Sequence, residues 1–111
     1  MKQGDIFLVN FDPSVGREYK KIRPALILQH ESSAKKSPYV TVMPMSSRID
    51  NWNLPDILVP KDNKNRLMTN SLIKVQQISS FDKKRFIKKI GAVNSPVLRK
   101  VRGYLRQHFK L

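Results

Sequence analysis

The apolar residues of this chain come in short runs, and this pattern limits the possible folds more than any other feature of the sequence. The runs are rich in strand-forming residues and cover the ranges 5–11, 24–29, 39–45, 56–60 and 69–79. The polar stretches between them are expected to be loops and turns, at ranges 12–16, 17–23, 31–37 and 61–65. About five short strands predict a mostly antiparallel β-sheet that curls into a small barrel.

Two prolines bear on where these strands begin and end. Pro24 is expected at the first position of the second strand, where the sheet loses no hydrogen-bond donor. Pro44 is expected to end the third strand or to mark a bulge in it, with Ser46 and Ser47 just beyond. The two serines are therefore predicted to lie at the end of the third strand.

A single clear helical pattern follows the strands. Ser95 is predicted to be its N-cap and Pro96 its first helical residue. Apolar side chains then recur at three- and four-residue spacing on one face, at Leu98, Val101, Leu105 and Phe109. We expect this C-terminal helix to cover the sheet, and residues 82–85 to form a separate helical turn.

The length and charge of the chain bound its function. The 111 residues predict one domain spanning 1–111, with a small core and little room for a deep cofactor cavity, so no cofactor is expected. Lys and Arg number 22 against 8 Asp and Glu, for a formal net charge of +14. Such a field favours a polyanionic partner, which leaves nucleic acid, an anionic membrane or an acidic protein open.

Several kinds of chemistry have no support in the sequence. The chain has no cysteine, which excludes disulfides, iron–sulfur clusters and thiolate zinc sites. His30 and His108 are far apart and show no metal-ligand spacing, so no metal site is expected. The N-terminus does not look like a signal peptide, and no apolar run approaches the roughly 20 residues that span a bilayer. We therefore expect a cytoplasmic protein without a membrane partner.

Polar side chains that can act on a phosphate are expected to gather where the strands end. They are Glu18, Lys20, Lys21 and Arg23 on the first loop, Ser46 and Ser47 after the third strand, and Gln77 on the long strand. Metal-free RNA cleavage suits such a set, because the 2′-OH of RNA is the nucleophile and the enzyme mainly aligns it and stabilises charge. Arg23 has a planar donor fork that matches a phosphate and stays protonated at neutral pH, so we assign it to charge stabilisation rather than to base catalysis.

Three motifs then suggest a family. Residues 4–18 followed by 23–28 resemble the opening of MazF/PemK-type toxins. Residues 44–47 resemble the second motif of that family, in which a Thr or Ser follows the third strand. Residues 75–85 resemble the third motif, and the order of all three agrees over nearly the whole chain.

The resemblance implies a homodimeric, SH3-like antiparallel barrel with a C-terminal helix. It implies a metal-independent endoribonuclease that cuts single-stranded RNA, often mRNA, at short motifs and leaves a 2′,3′-cyclic phosphate and a 5′-OH. It also implies a cognate antitoxin, which the charge of this chain predicts to be acidic. By motif, Arg23 is the central catalytic residue, Ser46 its partner on the phosphate, Glu18 an acidic loop residue and Gln77 a residue lining the site. RNA contacts are expected from Lys20, Lys21, Ser47, Lys74 and Gln77.

The sequence departs from the family at two points and leaves alternatives open. Ser46 stands where many members have Thr, and Gln76 stands where some members have an acid, so Glu18 becomes the leading candidate for the general base. Glu18 also has a purely structural alternative, an ion pair with Lys20 or Lys21. At the level of function, a protein-binding toxin of the CcdB-like gyrase-poison type and a non-catalytic RNA-binding barrel remain alternatives. The latter would need exposed aromatic residues such as Trp52 for base stacking.

Overall fold

Antiparallel pairing organises the part of the chain that the structure, a computed structural model, describes: residues 1–11 and 22–111. The strands are β1 (Asp5–Asn10), β2 (Ile22–Ile27), β3 (Tyr39–Ser46), β4 (Ile57–Val59), β5 (Ser71–Ile73), β6 (Ser79–Asp82) and β7 (Phe86–Ala92). The helices are α1 (Glu31–Lys36) and α2 (Ser95–Phe109). The predicted fold class, mainly β with a C-terminal helix, is confirmed.

The sheet runs in the order β4-β5-β3-β2-β1-β7, and β6 pairs with β3. Strand β3 is the longest and has three partners. It pairs with β6 over Tyr39–Val42, with β2 over Val42–Pro44, and with β5 over Met45–Ser46. Among the described residues, the end strands β4 and β7 do not pair with each other, so the predicted small curled barrel is present as a sheet that is not fully closed.

Side chains alternate between the two faces of the sheet, and each face carries its own apolar cluster. One face buries Ile6, Leu26 and Met43 against Val97 and Val101 of α2. The other face buries a cluster made of Val9, Phe11, Ala25, Ile27, Val40 and Val42, which we call the second cluster. Because full burial of each such side chain contributes about 1.5–3 kcal/mol, the alternation fixes which residues of every strand face inward.

The start of β2 differs from the prediction. Arg23 lies within the strand and not in a loop, and Pro24 is the third residue of the strand and not the first. Residues 22 and 23 extend the strand because they continue its pairing with β1, opposite Asn10 and Val9. The proline is compatible with this because the pairing of β2 with β3 begins only one residue later, at Ala25. The predicted turn at 12–16 and residues 17–21 of the predicted loop lie outside the described residues.

The range 31–37 was expected to be a loop, but most of it forms α1. The His30 side chain caps the helix by accepting a hydrogen bond from the Ser32 N–H at 3.1 Å. Ala34 is buried, and Lys35 and Lys36 lie in the last turn, where cations are favourable. An N-cap that is a histidine rather than Ser, Thr, Asp or Asn is a weak start signal in a sequence.

The second half of the sheet is also more divided than predicted. The range 69–79 is not one long strand but β5, a 3-10 turn over Val75–Gln77 and the start of β6. The division lets the chain pair with two different parts of β3. Pro44 neither ends β3 nor interrupts it. Strand β7 was not predicted, whereas β4 and the helical turn at Lys83–Arg85 are confirmed.

The helix α2 is confirmed, but its cap is Asn94. The Asn94 side chain accepts a hydrogen bond from the Val97 N–H at 2.9 Å, which places Ser95 and Pro96 inside the first turn. Asn94 is thus one residue earlier than the serine that the sequence suggested. No helix among the described residues is long and apolar enough to cross a membrane.

Two glycines offer a matched test of the packing. A Cβ on Gly91 of β7 would lie 2.5 Å from the backbone oxygens of Lys64 and Asn65, whereas a Cβ on Gly103 of α2 would meet nothing within 4 Å. Gly91→Ala is therefore expected to lower the free energy of unfolding by about 1–3 kcal/mol. Gly103→Ala is expected to raise it by about 0.5–1 kcal/mol, because alanine favours a helix interior. Urea denaturation measures both, and a neutral Gly91→Ala would contradict the close packing.

Candidate active site

Arg23 lies near the start of β2 and Ser46 at the end of β3, and the register between these strands relates their positions. The register pairs Ala25 with Pro44, and Arg23 lies two residues before Ala25 while Ser46 lies two residues after Pro44. The observed pairing of β2 with β3 ends there, and from Met45 onwards β3 pairs with β5. The alternation of side chains puts Arg23 on the face of Ala25 and Ser46 on the face of Val42, which is the face of the second cluster. The sheet thus carries on one face two residues that are 23 positions apart in the sequence.

The environment of Arg23 leaves one of its donors unused. The side chain is half-buried at the edge of the second cluster, and its Nε atom is buried without a hydrogen-bond partner among the described residues. An unpaired buried donor costs about 1–3 kcal/mol, more for a charged group. A phosphoryl oxygen, which accepts charge-assisted hydrogen bonds from a guanidinium, would satisfy it.

The residues after β3 form a tight turn. The Ser46 Oγ atom accepts a hydrogen bond from the Arg48 N–H at 3.2 Å, and the Ser47 carbonyl accepts one from the Ile49 N–H at 3.1 Å. Ser46 is half-buried and Ser47 is exposed. Because the Ser46 hydroxyl accepts in this turn, its own proton is available to donate to a ligand.

Lys74 was expected to contact RNA, and the structure gives its charge a partner within the protein. Its Nζ atom lies 2.6 Å from the Asp56 carboxylate, and the two side chains are 18% and 8% exposed. Its backbone N–H donates to the Pro44 carbonyl at 2.9 Å, which ties the segment after β5 to β3. Lys74 therefore braces the strand that carries Ser46, and its contact with RNA stays a prediction.

Gln77 lies at the end of the 3-10 turn that follows Lys74 and is half-buried. Its backbone N–H donates to the Lys74 carbonyl at 3.0 Å, and the turn packs against β3. This places the turn beside β3, and the role of Gln77 as a site-lining residue stays a prediction.

Three predicted site residues, Glu18, Lys20 and Lys21, lie outside the described residues. The segment that contains them joins β1 to β2. At its base, Asn10 pairs with Ile22, the residue immediately before Arg23. The segment therefore begins and ends next to the Arg23 strand position.

Arg85 is a further cation, and strand pairing relates its position to that of Arg23. Its Nη1 atom donates to the Asn10 carbonyl at 3.2 Å. The next residue, Phe86, pairs with Val9, which in turn pairs with Arg23. Arg85 belongs to the third sequence motif but was not selected as a site residue, because only the β1–β7 pairing brings it near.

The described residues contain no group of three or more His, Asp or Glu side chains that could hold a metal ion. The polar groups that the structure does assemble are cationic and hydroxyl donors, namely Arg23, Arg85 and Ser46. Donors of this kind bind anionic oxygens. The fold and the site together define a small β-protein that carries, on one face of its sheet, an arginine and a serine able to donate hydrogen bonds to an anion.

Solved structures of MazF toxins share this fold. MazF from Deinococcus radiodurans has a TM-score of 0.81 at 22% identity, covering 100% of this chain and 97% of that one. A MazE–MazF complex from the same organism has a TM-score of 0.77 at 19% identity, covering 100% and 96%. An endoribonuclease in complex with its cognate antitoxin from a mycobacterial species has a TM-score of 0.75 at 14% identity, covering 100% and 96%.

The sequence itself matches a family. Residues 2–109 match the family of PemK-like, MazF-like toxins of type II toxin–antitoxin systems. The chain is also 31% identical over 101 residues to the endoribonuclease MazF of Staphylococcus saprophyticus, which covers 91% of this chain and 84% of the relative. This chain therefore belongs to the PemK/MazF family of toxins, and the resemblance predicted from the three motifs is confirmed.

The Lys74–Asp56 ion pair generates a prediction about stability. Lys74→Gln is expected to lower the free energy of unfolding by about 2 kcal/mol or more, because it leaves the buried Asp56 charge unpaired. The double variant Asp56→Asn/Lys74→Gln should recover part of that loss, with a coupling energy of about 0.5–3 kcal/mol. Chemical denaturation of the unmodified protein, the single variants Lys74→Gln and Asp56→Asn, and the double variant measures the cycle.

The exposed pair of Arg48 and Asp50 serves as the control. Its atoms are 4.0 Å apart and both side chains are more than two-thirds exposed, at 69% and 73%. The same cycle on this pair should give a coupling energy near zero, since exposed ion pairs contribute little. Equal coupling in the two cycles would show that Lys74 does not brace the site.

Proposed function

We propose that this protein is a sequence-specific, metal-independent endoribonuclease toxin that cleaves single-stranded RNA, mRNA in particular. The products are a 2′,3′-cyclic phosphate and a 5′-OH. The observation that carries the proposal is the buried Arg23 donor that has no partner among the described residues, on the same face of the sheet as Ser46. The endoribonuclease name of the staphylococcal relative supports the same activity.

In the proposed reaction the 2′-oxygen of a ribose attacks the adjacent phosphorus and the bond from phosphorus to the 5′-oxygen breaks. Negative charge builds up on the phosphoryl oxygens in the transition state. Arg23 donates to these oxygens and Ser46 donates its hydroxyl proton to one of them. Because the donors are already in place, this stabilisation requires little reorganisation during the reaction.

Two protons move in this reaction. One leaves the 2′-OH, and we assign its acceptor to Glu18, because arginine stays protonated at neutral pH and Gln76 replaces the acid found in some family members. The other proton reaches the departing 5′-oxygen, which becomes a 5′-OH. We assign the donor of this proton to Arg23, and the proton taken up by Glu18 returns to Arg23 through solvent after the bond breaks. One proton is taken up and one is delivered, so the step consumes no water.

Substrate binding is assigned to the residues around this centre. Lys20, Lys21, Ser47 and Gln77 are proposed to hold the RNA on either side of the cut. Trp52 is 48% exposed, and its indole Nε1 donates to the Asp56 carbonyl at 3.0 Å, which leaves a fixed aromatic face for a base. Attack in line with the leaving oxygen needs a mobile ribose, which favours single strands over duplex RNA.

The partner that restrains the enzyme is proposed to be an acidic antitoxin. Structural neighbours include a MazE–MazF complex and an endoribonuclease with its cognate antitoxin. The net charge of +14 would speed association with an acidic chain by electrostatic steering. An antitoxin segment that is disordered when free could fill the RNA groove in extended form. We further propose a cytoplasmic homodimer, as the family resemblance implies.

Cleavage of single-stranded RNA in excess EDTA tests the reaction. The unmodified protein is expected to cut single strands and leave duplex RNA and DNA intact. Arg23→Ala should lower the cleavage rate about a hundredfold or more, because it removes a contact with transition-state charge. Ser46→Ala should be milder, since it removes one neutral donor.

Arg99→Ala is the control for this experiment, because it removes the same charge from an exposed position of α2. It should keep the rate of the unmodified protein. Circular dichroism must show that every variant is folded. Strict dependence on Mg²⁺, or a tenth or more of the normal rate in Arg23→Ala, would refute the mechanism. Growth arrest without RNA cleavage would instead favour a gyrase-poison type of toxin.

Co-expression tests the antitoxin. The short reading frame immediately upstream of the gene for this chain is expected to encode an acidic product that rescues growth and co-purifies with the toxin. Arg23→Ala alone should also relieve toxicity, which links rescue to the active site. If the chain is harmless when over-expressed and no neighbouring product binds it, the toxin function fails although the fold is right.

A further inference from the structure

A basic hollow lies at the free edge of β7, away from Arg23 and Ser46. Its volume is about 390 Å³. It is lined by Lys64, Arg66, Lys89, Ile90, Gly91 and Ala92. We call it the β7 hollow. A space of this size falls within the range of small-ligand sites, and three of its six lining residues are cations.

The turn that forms one wall of the β7 hollow is rigid. Asp62 Oδ1 accepts hydrogen bonds from the N–H groups of Lys64 and Asn65, at 2.9 and 2.7 Å. The buried Asn65 side chain in turn accepts from the N–H groups of Asp62 and Leu67, both at 3.0 Å. Arg66 has a φ of +56°, an uncommon conformation for a residue with a side chain. The two cations of the turn are therefore held on a fixed backbone.

Strand β7 forms the other wall, and its backbone touches the turn directly. The Ala92 N–H donates to the Lys64 carbonyl at 3.2 Å. Gly91 makes this approach possible, since any Cβ there would lie 2.5 Å from the turn's backbone oxygens. The floor of the hollow is therefore built by close backbone contact and does not depend on flexible side chains.

The charge of the β7 hollow is not neutralised from within. Lys89 has a partner, because its Nζ atom lies 3.3 Å from the Asp5 carboxylate. Lys64 and Arg66 are exposed, and no acidic side chain among the described residues pairs with either. Two uncompensated cations, one with a planar donor fork, match a phosphate group.

Lys89, on the β7 wall of the hollow, can be placed relative to Arg23, and this distance points to the ligand. Arg23 and Lys89 pair with Val9 and Phe7, on opposite sides of β1. Two residues along a strand and two strand spacings separate their backbones by about 12 Å. A stacked nucleic-acid strand covers that distance in about three to four nucleotides, at about 3.4 Å each. Phe7 and Val9 are two residues apart on β1, so their side chains point to the same face of the sheet. Arg23 and Lys89, which pair with them, therefore occupy that face as well.

We propose that the β7 hollow binds a backbone phosphate of the RNA substrate, a few nucleotides from the bond that is cut. Lys64 and Arg66 supply the contacts, and Lys89 keeps its ion pair with Asp5. The inference rests on the proposed endoribonuclease function. It assigns the chain a second contact with the substrate, one that anchors the strand without reading its bases.

The test is the salt dependence of binding to a uniformly 2′-O-methylated RNA single strand, which has no 2′-OH and cannot be cut. The double variant Lys64→Gln/Arg66→Gln is compared with the unmodified protein. Loss of one phosphate contact should change the slope of the logarithm of the binding constant against the logarithm of the salt concentration, making it less negative by about 0.7. Counterion release alone then makes the double variant bind the RNA more weakly than the unmodified protein, by about eightfold at about 50 mM salt and about threefold at about 200 mM. In cleavage assays the variant should raise KM and leave kcat within about twofold.

Lys61→Gln/Lys100→Gln is the matched control. Both residues are exposed and lie outside the hollow, so the variant loses the same net charge. Its salt slope should equal that of the unmodified protein, and unfolding midpoints should be alike for both double variants. A slope change shared by the two variants would overturn the proposal, because it would reflect net charge and not a site.

The outcomes separate this proposal from the proposed function. If the protein cuts RNA in EDTA but the Lys64/Arg66 variant keeps its slope and KM, the hollow is not a phosphate site and the nuclease stands. If the slope changes but no RNA is cut, the phosphate site stands and the nuclease fails. A parallel titration with poly-glutamate tests an acidic protein as the ligand. If the variant loses affinity for poly-glutamate but not for RNA, the hollow binds an acidic protein and the RNA assignment is wrong.

Discussion

The register between β2 and β3 is the constraint on which the site depends. A slip of one residue in a strand moves every side chain to the opposite face, so Arg23 and Ser46 would no longer share a surface. The register is held by apolar burial on both sides of the sheet: Ala25 and Val42 on one face, Leu26 and Met43 on the other. Arg23 and Ser46, the proposed catalytic residues, thus take their positions from residues of the two apolar clusters.

A second tie holds the end of β3 where Ser46 needs to be. The Lys74 N–H binds the Pro44 carbonyl, and the Lys74 ammonium binds Asp56. Because β3 leaves β2 after Pro44 and pairs with β5 instead, this end of the strand lacks a continuous ladder on the β2 side. The ion pair stiffens the point at which the partner changes. An anion site on a strand end benefits, since its donors must be fixed before the charge develops.

The sequence predicted the class of fold and the family because both depend on short-range patterns. Strand composition located β1, β3 and β4, and apolar spacing located α2. Strand β7 was not predicted because Lys88, Lys89 and Gly91 break the alternation of apolar and polar residues that marks a strand. In the structure, two irregularities in the pairing of β7 with β1 shift the register. Lys74 resembles a surface lysine in sequence, since its partner Asp56 lies 18 positions earlier. Only the pairing of β4 with β5 brings that carboxylate within reach.

The pairing of Asn10 with Ile22 has a consequence for how this scaffold can diversify. The pair closes the base of the segment that carries Glu18, Lys20 and Lys21, so the cost of a longer segment is only that of closing a larger loop. That cost grows slowly, by about 0.6 kcal/mol for each doubling of length. Arg23 lies in the sheet next to this pair, so its position does not depend on the length of the segment. Under the proposed function, the segment can therefore vary in length and sequence without displacing Arg23.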